Sequence, residues 1–204
     1  LRDSAPFSSQ HPSGLSDDAL NTLNRQHQYS AARFKDQRFR DAVNALNAAK
    51  AIAPNYAETH YQLGIAFEHL GQNAESAEHF QQALDLDTLR FRADTQINAR
   101  IRRVAKQFND TAFNFVDSET AFKRASQPKL PGWNLLLEHV HYSFVGNYLL
   151  AAGFAEAILE TVDASSQSAL LPAQEIAHRI GYPNFTTIDA MGRLLDMVQT
   201  PPFT

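Results

Sequence analysis

The sequence contains no cysteine, which excludes disulfides, thiolate zinc sites and a cysteine nucleophile together. It also lacks any apolar run near the roughly 20 residues that a bilayer-crossing helix needs, so no membrane span is expected. Basic charge is not in excess: the formal net charge is -4, which offers phosphate backbones no general attraction and argues against a nucleic-acid partner. The nearest basic cluster, Arg90, Arg92, Arg100, Arg102, Arg103 and Lys106, scatters around more than one face at helical spacing and reads as a solvated helix surface. The opening Leu1-Arg2-Asp3-Ser4 has neither a methionine nor a signal-peptide pattern. No targeting segment is read from it, the compartment stays open, and the chain is expected to be part of something longer.

The composition that remains is that of a folded, soluble protein: 204 residues, 44% hydrophobic and 20% charged, enough for one domain or two small ones. Laid against itself with a shift of about 34 residues, the sequence brings Tyr29 onto Leu63, Ser30 onto Gly64, Ala42 onto Ser76, Leu46 onto Phe80, Ala49 onto Ala83 and Pro54 onto Thr88. In the second copy, residues 60–67 read as a helix that closes at Leu70-Gly71, with the glycine as its stop. Ala77, Phe80, Ala83 and Leu84 mark a second helix. Gly64 and Ala83 are small, as the close approach of two hairpin helices demands, while Leu63, Phe67 and Phe80 fill the space between them. Ala42, Leu46 and Ala49 do the same in the first copy, and Pro54 ends its helix.

These positions resemble the tetratricopeptide repeat, with Ser76 and Thr88 standing where alanine and proline are usual. The resemblance implies tandem helical hairpins over 21–88 and a protein or peptide segment as partner. Hairpins of this kind do not bury their apolar faces alone. A cap is expected from a helix over 89–108, where Phe91, Ile97, Ile101, Val104 and Phe108 recur at helical spacing as one stripe. Polar side chains placed to hydrogen-bond a partner are Asn44, Asn47, Gln62 and Gln81. At the junction, Asp85, Asp87, Arg90, Arg92 and Asp94 alternate in charge and read as ion pairs that fix it. The alternative reading places Arg92 or Asp94 at a binding site or beside the active site of a missing half, with Asn98, one turn beyond Asp94, on the same face.

From Thr111 the pattern changes. Residues 111–117 form a short apolar and aromatic run, expected to be a buried strand ending at Asp117. A lone strand needs backbone partners from another chain or segment. A loop over 126–132 and a helix over 145–160 are expected next, the helix burying Tyr148, Ala151, Ala152, Ala155 and Ile158. His139 and His141, beside Glu138, admit a metal pair, a catalytic base or a hydrogen-bonded structural histidine; no third ligand is evident.

Glu138-His139-Val140-His141 with Gly146-Asn147-Tyr148 resembles the last block of the SGNH (GDSL-type) hydrolases, in which an Asp-x-x-His pair precedes the final helix. The resemblance implies that His141 is a general base and that Glu138 orients its ring. It also implies that the strand ending at Asp117 closes a parallel sheet. Glutamate stands here for the usual aspartate, and the Gly-Asp-Ser block that carries the serine nucleophile does not occur in the sequence. An N-terminal hydrolase half outside this chain is therefore implied as a partner.

The expected fold is mainly α: tetratricopeptide hairpins with a capping helix, then a partial α/β segment with a lone strand, then C-terminal helices. The expected divisions are an irregular arm over 1–20, repeats and cap over 21–108, the hydrolase-like segment over 109–163 and a helical tail over 164–204. Helices are expected in the tail over 172–179 and 188–198. The second carries Met191, Leu194, Leu195 and Val198 as an apolar face, free to dock on the body or to pair with a second copy as a homo-oligomer. No cofactor and no metal is expected. The first functional expectation is protein or peptide binding. The alternative is part of an ester hydrolase or acyl transferase whose serine lies elsewhere.

Overall fold

The computed structural model describes residues 5–10, 12–108, 113–138, 140–162, 170–182, 189, 192–197 and 199. Its helices in chain order are α1 (Asp17–Lys35), α2 (Phe39–Ile52), α3 (Ala57–His69), α4 (Asn73–Leu86), α5 (Thr95–Ala105), α6 (Ser118–Ser126), α7 (Phe144–Thr161) and α8 (Ala173–Arg179). The chain divides into two units, Leu1–Asn98 with Gln127–Gly132, and Ala99–Ser126 with Trp133–Thr204.

In the first unit α1 pairs with α2, α3 pairs with α4, and α2 packs on α3, which are the helical hairpins expected from the repeat. Ser16 caps α1 by accepting the N–H of Ala19, and Asp17 and Asp18 favour the positive end of the helix dipole. α3 ends in a left-handed turn at Gly71 (φ 74°), where Gln72 N–H donates to Phe67 O and Gly71 N–H to Glu68 O. α1 ends in the same way through Gln37 (φ 57°), with Arg38 N–H donating to Arg33 O. Leu23, Ala42, Leu46, Ala49, Leu63, Ala66, Phe80 and Ala83 form the buried interior. Each large apolar member contributes on the order of 2 kcal/mol by leaving water.

Both departures from the repeat signature have a structural reason. Ser76 is buried, and its hydroxyl donates to the carbonyl of Gly64 at 2.8 Å, so the extra polar atom is satisfied and ties α4 to α3. Thr88 donates through both its N–H and its hydroxyl to the carbonyl of Ser8, each at 2.9 Å, and a proline there would supply neither donor. The irregular arm is thus part of the first unit. Asp87, buried, accepts the N–H groups of Phe7 and Ser8 at 2.9 and 3.1 Å, and Ser9 Oγ accepts the N–H of Glu58 in the first turn of α3.

Three expectations are corrected. The helix expected over 89–108 forms only as α5; before it, Asp94 caps the helix by accepting Ile97 N–H at 2.7 Å. Its stripe does not cover a core, since α5 has no buried residue and Ile97, Ile101, Val104 and Phe108 are exposed.

The strand expected over 111–117 is not formed at residues 113–117, and no strand occurs among the described residues, so the partial α/β segment is absent from the described fold. Thr111 and Ala112 lie outside the described residues. Among the described residues no neighbouring strand satisfies such a backbone. The segment instead follows α7: Asn114 Nδ2 donates to Ala157 O at 3.1 Å, and Val116 lies against Gly153, where an added Cβ would meet Val116 Cγ1 at 2.9 Å. Asp117 then caps α6, accepting Thr120 N–H at 3.1 Å and its hydroxyl at 2.9 Å.

Finally, α7 forms but buries only Gly146 of its residues, and Ile158 is 61% exposed. In the tail, α8 matches the helix expected over 172–179. Of the helix expected over 188–198, residues 192–197 are helical, while Met191 and Val198 lie outside the described residues.

Candidate functional site

The second unit places Glu138 and His141 on one tight loop. Leu137 N–H donates to His141 O at 2.8 Å and Ser143 N–H to Leu135 O at 2.9 Å, closing the loop around an antiparallel bridge between Leu136 and Tyr142. Ser143 then caps α7 by accepting Gly146 N–H at 3.2 Å. Only glycine fits at 146: an added Cβ would lie 2.2 Å from the carbonyl oxygen of Leu135. Asn147 Nδ2 donates back to the carbonyls of Tyr142 and Ser143, at 3.3 and 3.2 Å, and Tyr148 OH donates to Leu171 O at 2.7 Å. Each residue of the Gly146-Asn147-Tyr148 run therefore has a local bonding or packing reason.

At the tip of this loop Glu138 Oε1 accepts from His141 Nδ1, from His141 N–H at 2.6 Å and from Val140 N–H at 3.2 Å. A carboxylate oxygen only accepts, so the ring proton sits on Nδ1 and Nε2 is the basic nitrogen. Burial opposes the charge on Glu138, but the hydrogen bonds from His141 and Val140 outweigh it and hold the carboxyl below its ordinary range. The His141 side chain is 54% exposed and that of Glu138 10%. An oriented, half-exposed imidazole with a largely buried carboxylate behind it and a bare Nε2 is chemically able to take a proton from a nucleophile. His139 lies outside the described residues, and no group of three or more potential metal ligands occurs among those described.

In the first unit the residues singled out for binding separate into two sets. Gln62 bonds Ser30 Oγ at 3.2 Å and Glu58 at 2.7 Å, and Gln81 bonds Thr95 Oγ1 at 2.9 Å. Asp94 is 2% exposed and pairs with Arg90, Arg92 lies 4.0 Å from the buried Asp87, and Asn98 reaches Ala93 O at 3.5 Å. These five side chains make bonds within the unit. Asn44 and Asn47 are exposed on α2. Asn44 lines a shallow hollow with Gln26, Tyr29, Asp41 and Ala45. Tyr29, at the repeat position where Leu63 is fully buried, is 48% exposed, with the Arg33 guanidinium 4.9 Å from its ring centre. Sequence reasoning placed Tyr29 in the repeat register and assigned it no binding role. The available signal was a tyrosine where the second copy has leucine.

Comparison with protein families matches residues 57–88 to the tetratricopeptide repeat, the span of the hairpin α3–α4. Comparison with curated proteins and with solved structures gives no match. The chain therefore contains a tetratricopeptide repeat, a helical module of the protein-binding kind, and nothing in the comparisons supports a hydrolase segment over 109–163. Among the described residues, no helix is long and apolar enough to cross a membrane.

Proposed function

We propose that the helical repeats hold a peptide segment of a partner protein, and that the contact includes the hollow lined by Gln26, Tyr29, Asp41 and Asn44. The observation that carries this reading is the exposed Tyr29, an aromatic ring at a repeat position that is otherwise core. Tyrosine presents a large contact area with little rotamer entropy to lose, and Asn44 beside it supplies an amide for hydrogen bonds to a partner, while the Asp41 carboxylate is already paired with Arg38 at 2.5 Å. The test is binding of the full chain to an arrayed library of synthetic peptides. Tyr29→Ala and Asn44→Ala are expected to weaken the selected peptides, the tyrosine variant by about tenfold or more. If no peptide is selected, or if the selected ones bind both variants like wild type, the reading fails.

A second reading is favoured by one specific observation, the hydrogen-bonded Glu138–His141 pair on a half-exposed histidine side chain. In it, this chain is part of an ester hydrolase or acyl transferase, and His141 is the base for a serine outside this chain. The exposed Trp133, Val140, Phe154, Ile158 and Val162 of the same unit support cover by further polypeptide. Ester turnover measured on the protein as isolated from its source decides this: His141→Ala abolishes it if the reading holds, and equal turnover in both removes the reading.

A further inference from the structure

Two imidazoles meet inside the second hairpin. His60 on α3 and His79 on α4 are 4% and 8% exposed, and their Nδ1 atoms lie 3.1 Å apart. His60 Nε2 lies 2.8 Å from the carbonyl oxygen of Pro54, in the turn between α2 and α3. A carbonyl only accepts, so His60 carries its proton on Nε2 and its Nδ1 is bare when the ring is neutral. The hydrogen between the rings therefore belongs to His79 Nδ1, which donates to His60. The two bonds join three parts of the unit: the turn at Pro54, α3 and α4.

The surroundings disfavour charge on this pair. Phe67 stacks parallel to the His79 ring, with centroids 5.4 Å apart. Lys50 on α2 repels a positive charge on either ring, while Glu78 on α4 attracts one on His60. Toward the other end of the hairpin the carboxylate of Glu68 is engaged by Lys129 at 2.5 Å. Burial lowers the pKa of both rings, His79 to about 4, with Lys50 adding to the effect.

We propose that His60 and His79 form a proton-operated latch that ties α4 to α3 and to the turn at Pro54 when both rings are neutral and releases α4 when the pair is charged. A first proton, taken from solvent on His79 Nε2, keeps the bond between the rings but places a cation in a desolvated site facing Lys50. A second has His60 Nδ1 as its site, where it replaces the acceptor lone pair and sets N–H against N–H at 3.1 Å. An opened hairpin exposes both rings to water and restores their ordinary affinity for protons. Between about pH 6.5 and pH 4 the open form thus binds protons that the closed form does not, and falling pH favours opening. The latch does not depend on what the repeats bind.

Hydrogen exchange of the full chain, read by mass spectrometry at pH 7.5 and 5.0 and corrected for intrinsic rates, tests it. Protection of the α4 amides is expected to fall roughly 30-fold between the two pH values, the ratio for one imidazole moved from 6.5 to about 4. His79→Phe, which keeps an aromatic ring against Phe67 and removes the strongly shifted group, is expected to hold α4 protection within about threefold across the same range, while His60→Gln, which copies Gln26 of the first repeat and leaves His79 buried beside Lys50, keeps most of the fall. Protection in wild type that ignores pH overturns the proposal, as does a full fall retained in His79→Phe. If the variants do not fold at pH 7.5, the ¹⁵N shifts of the wild-type imidazoles decide. His60 as the Nε2–H tautomer with His79 neutral at pH 5.5 supports the latch, and two rings titrating at their ordinary value overturn it.

Discussion

The ring of Phe80 stands where a side chain on Gly64 would begin: a Cβ placed there would lie 2.7 Å from Phe80 Cδ1. The separation of α3 and α4 is set by that contact, because neither helix is able to come closer and any larger group at 64 drives them apart.

Gly64→Ala is therefore expected to lower stability by about 1–3 kcal/mol, even though alanine favours a helix more than glycine does. Pairing it with Phe80→Leu should recover part of the loss. Chemical denaturation of the three variants measures both effects, and an alanine variant as stable as wild type would show that the hairpin repacks freely.

Asp87 fixes the N-terminal arm. Its buried carboxylate accepts the N–H groups of Phe7, Ser8 and Leu89. Asp87→Ala leaves those donors without their acceptor and is expected to cost about 2–4 kcal/mol, with the arm becoming cleavable near Phe7 and Ser8. Limited proteolysis followed by mass spectrometry reads the second outcome. Cleavage unchanged from wild type would mean that the bridge between Ser9 and Asp87 and the donors of Thr88 hold the arm without the carboxylate.

Gly146→Ala meets the carbonyl of Leu135 head-on, at 2.2 Å from an ideal Cβ. A backbone atom has no rotamer to turn away, so the first turn of α7 must move. The expected loss is about 3 kcal/mol or more, accompanied by loss of the hydrogen bond that orients His141. The Nδ1–H resonance of His141 is the direct readout, and its persistence at the wild-type position would contradict the tight coupling of loop and helix.

Arg102 grips Asp117 with two hydrogen bonds, at 2.8 and 3.0 Å, and reaches Glu119 at 2.5 Å. The Arg102 hydrogen bond, aided by Thr120, holds the Asp117 carboxyl well below the usual carboxylate range. A carboxylate depressed in the folded state adds stability above its unfolded pKa, near 3.8, and that stability is lost as pH falls further. The partners are about a third exposed, so Arg102→Gln should cost only about 1 kcal/mol at pH 7. Denaturation at pH 7, 5 and 3 should show the gap between variant and wild type closing below about pH 4. A constant gap would assign the effect of Arg102 to packing instead.

The repeat was legible because its information is local. Small residues at Gly64 and Ala83 and large ones at Leu63 and Phe80 match Ser30, Ala49, Tyr29 and Leu46 with a fixed shift, and the glycine stop at Gly71 marks a helix end; none needs a distant contact to be read. The contact between Glu138 and His141 was anticipated only through the resemblance to the SGNH block, and a tight turn between residues three apart forms it. The strand over 111–117 was misread because an apolar run carries no sign of whether a neighbouring strand exists. α6 was missed although Asp117, three residues before Thr120, was available as a capping signal.

The sequence by itself determined the helical hairpins, because periodicity, helix caps and short turns act between residues close along the chain. Only the tertiary structure decided the rest: that Asp87 and Thr88 hold an arm 80 residues away, that Tyr29 is open where Leu63 is closed, and that His60 meets His79. Those outcomes depend on which surfaces pack together and on which polar groups packing leaves to be satisfied, and no local pattern encodes either.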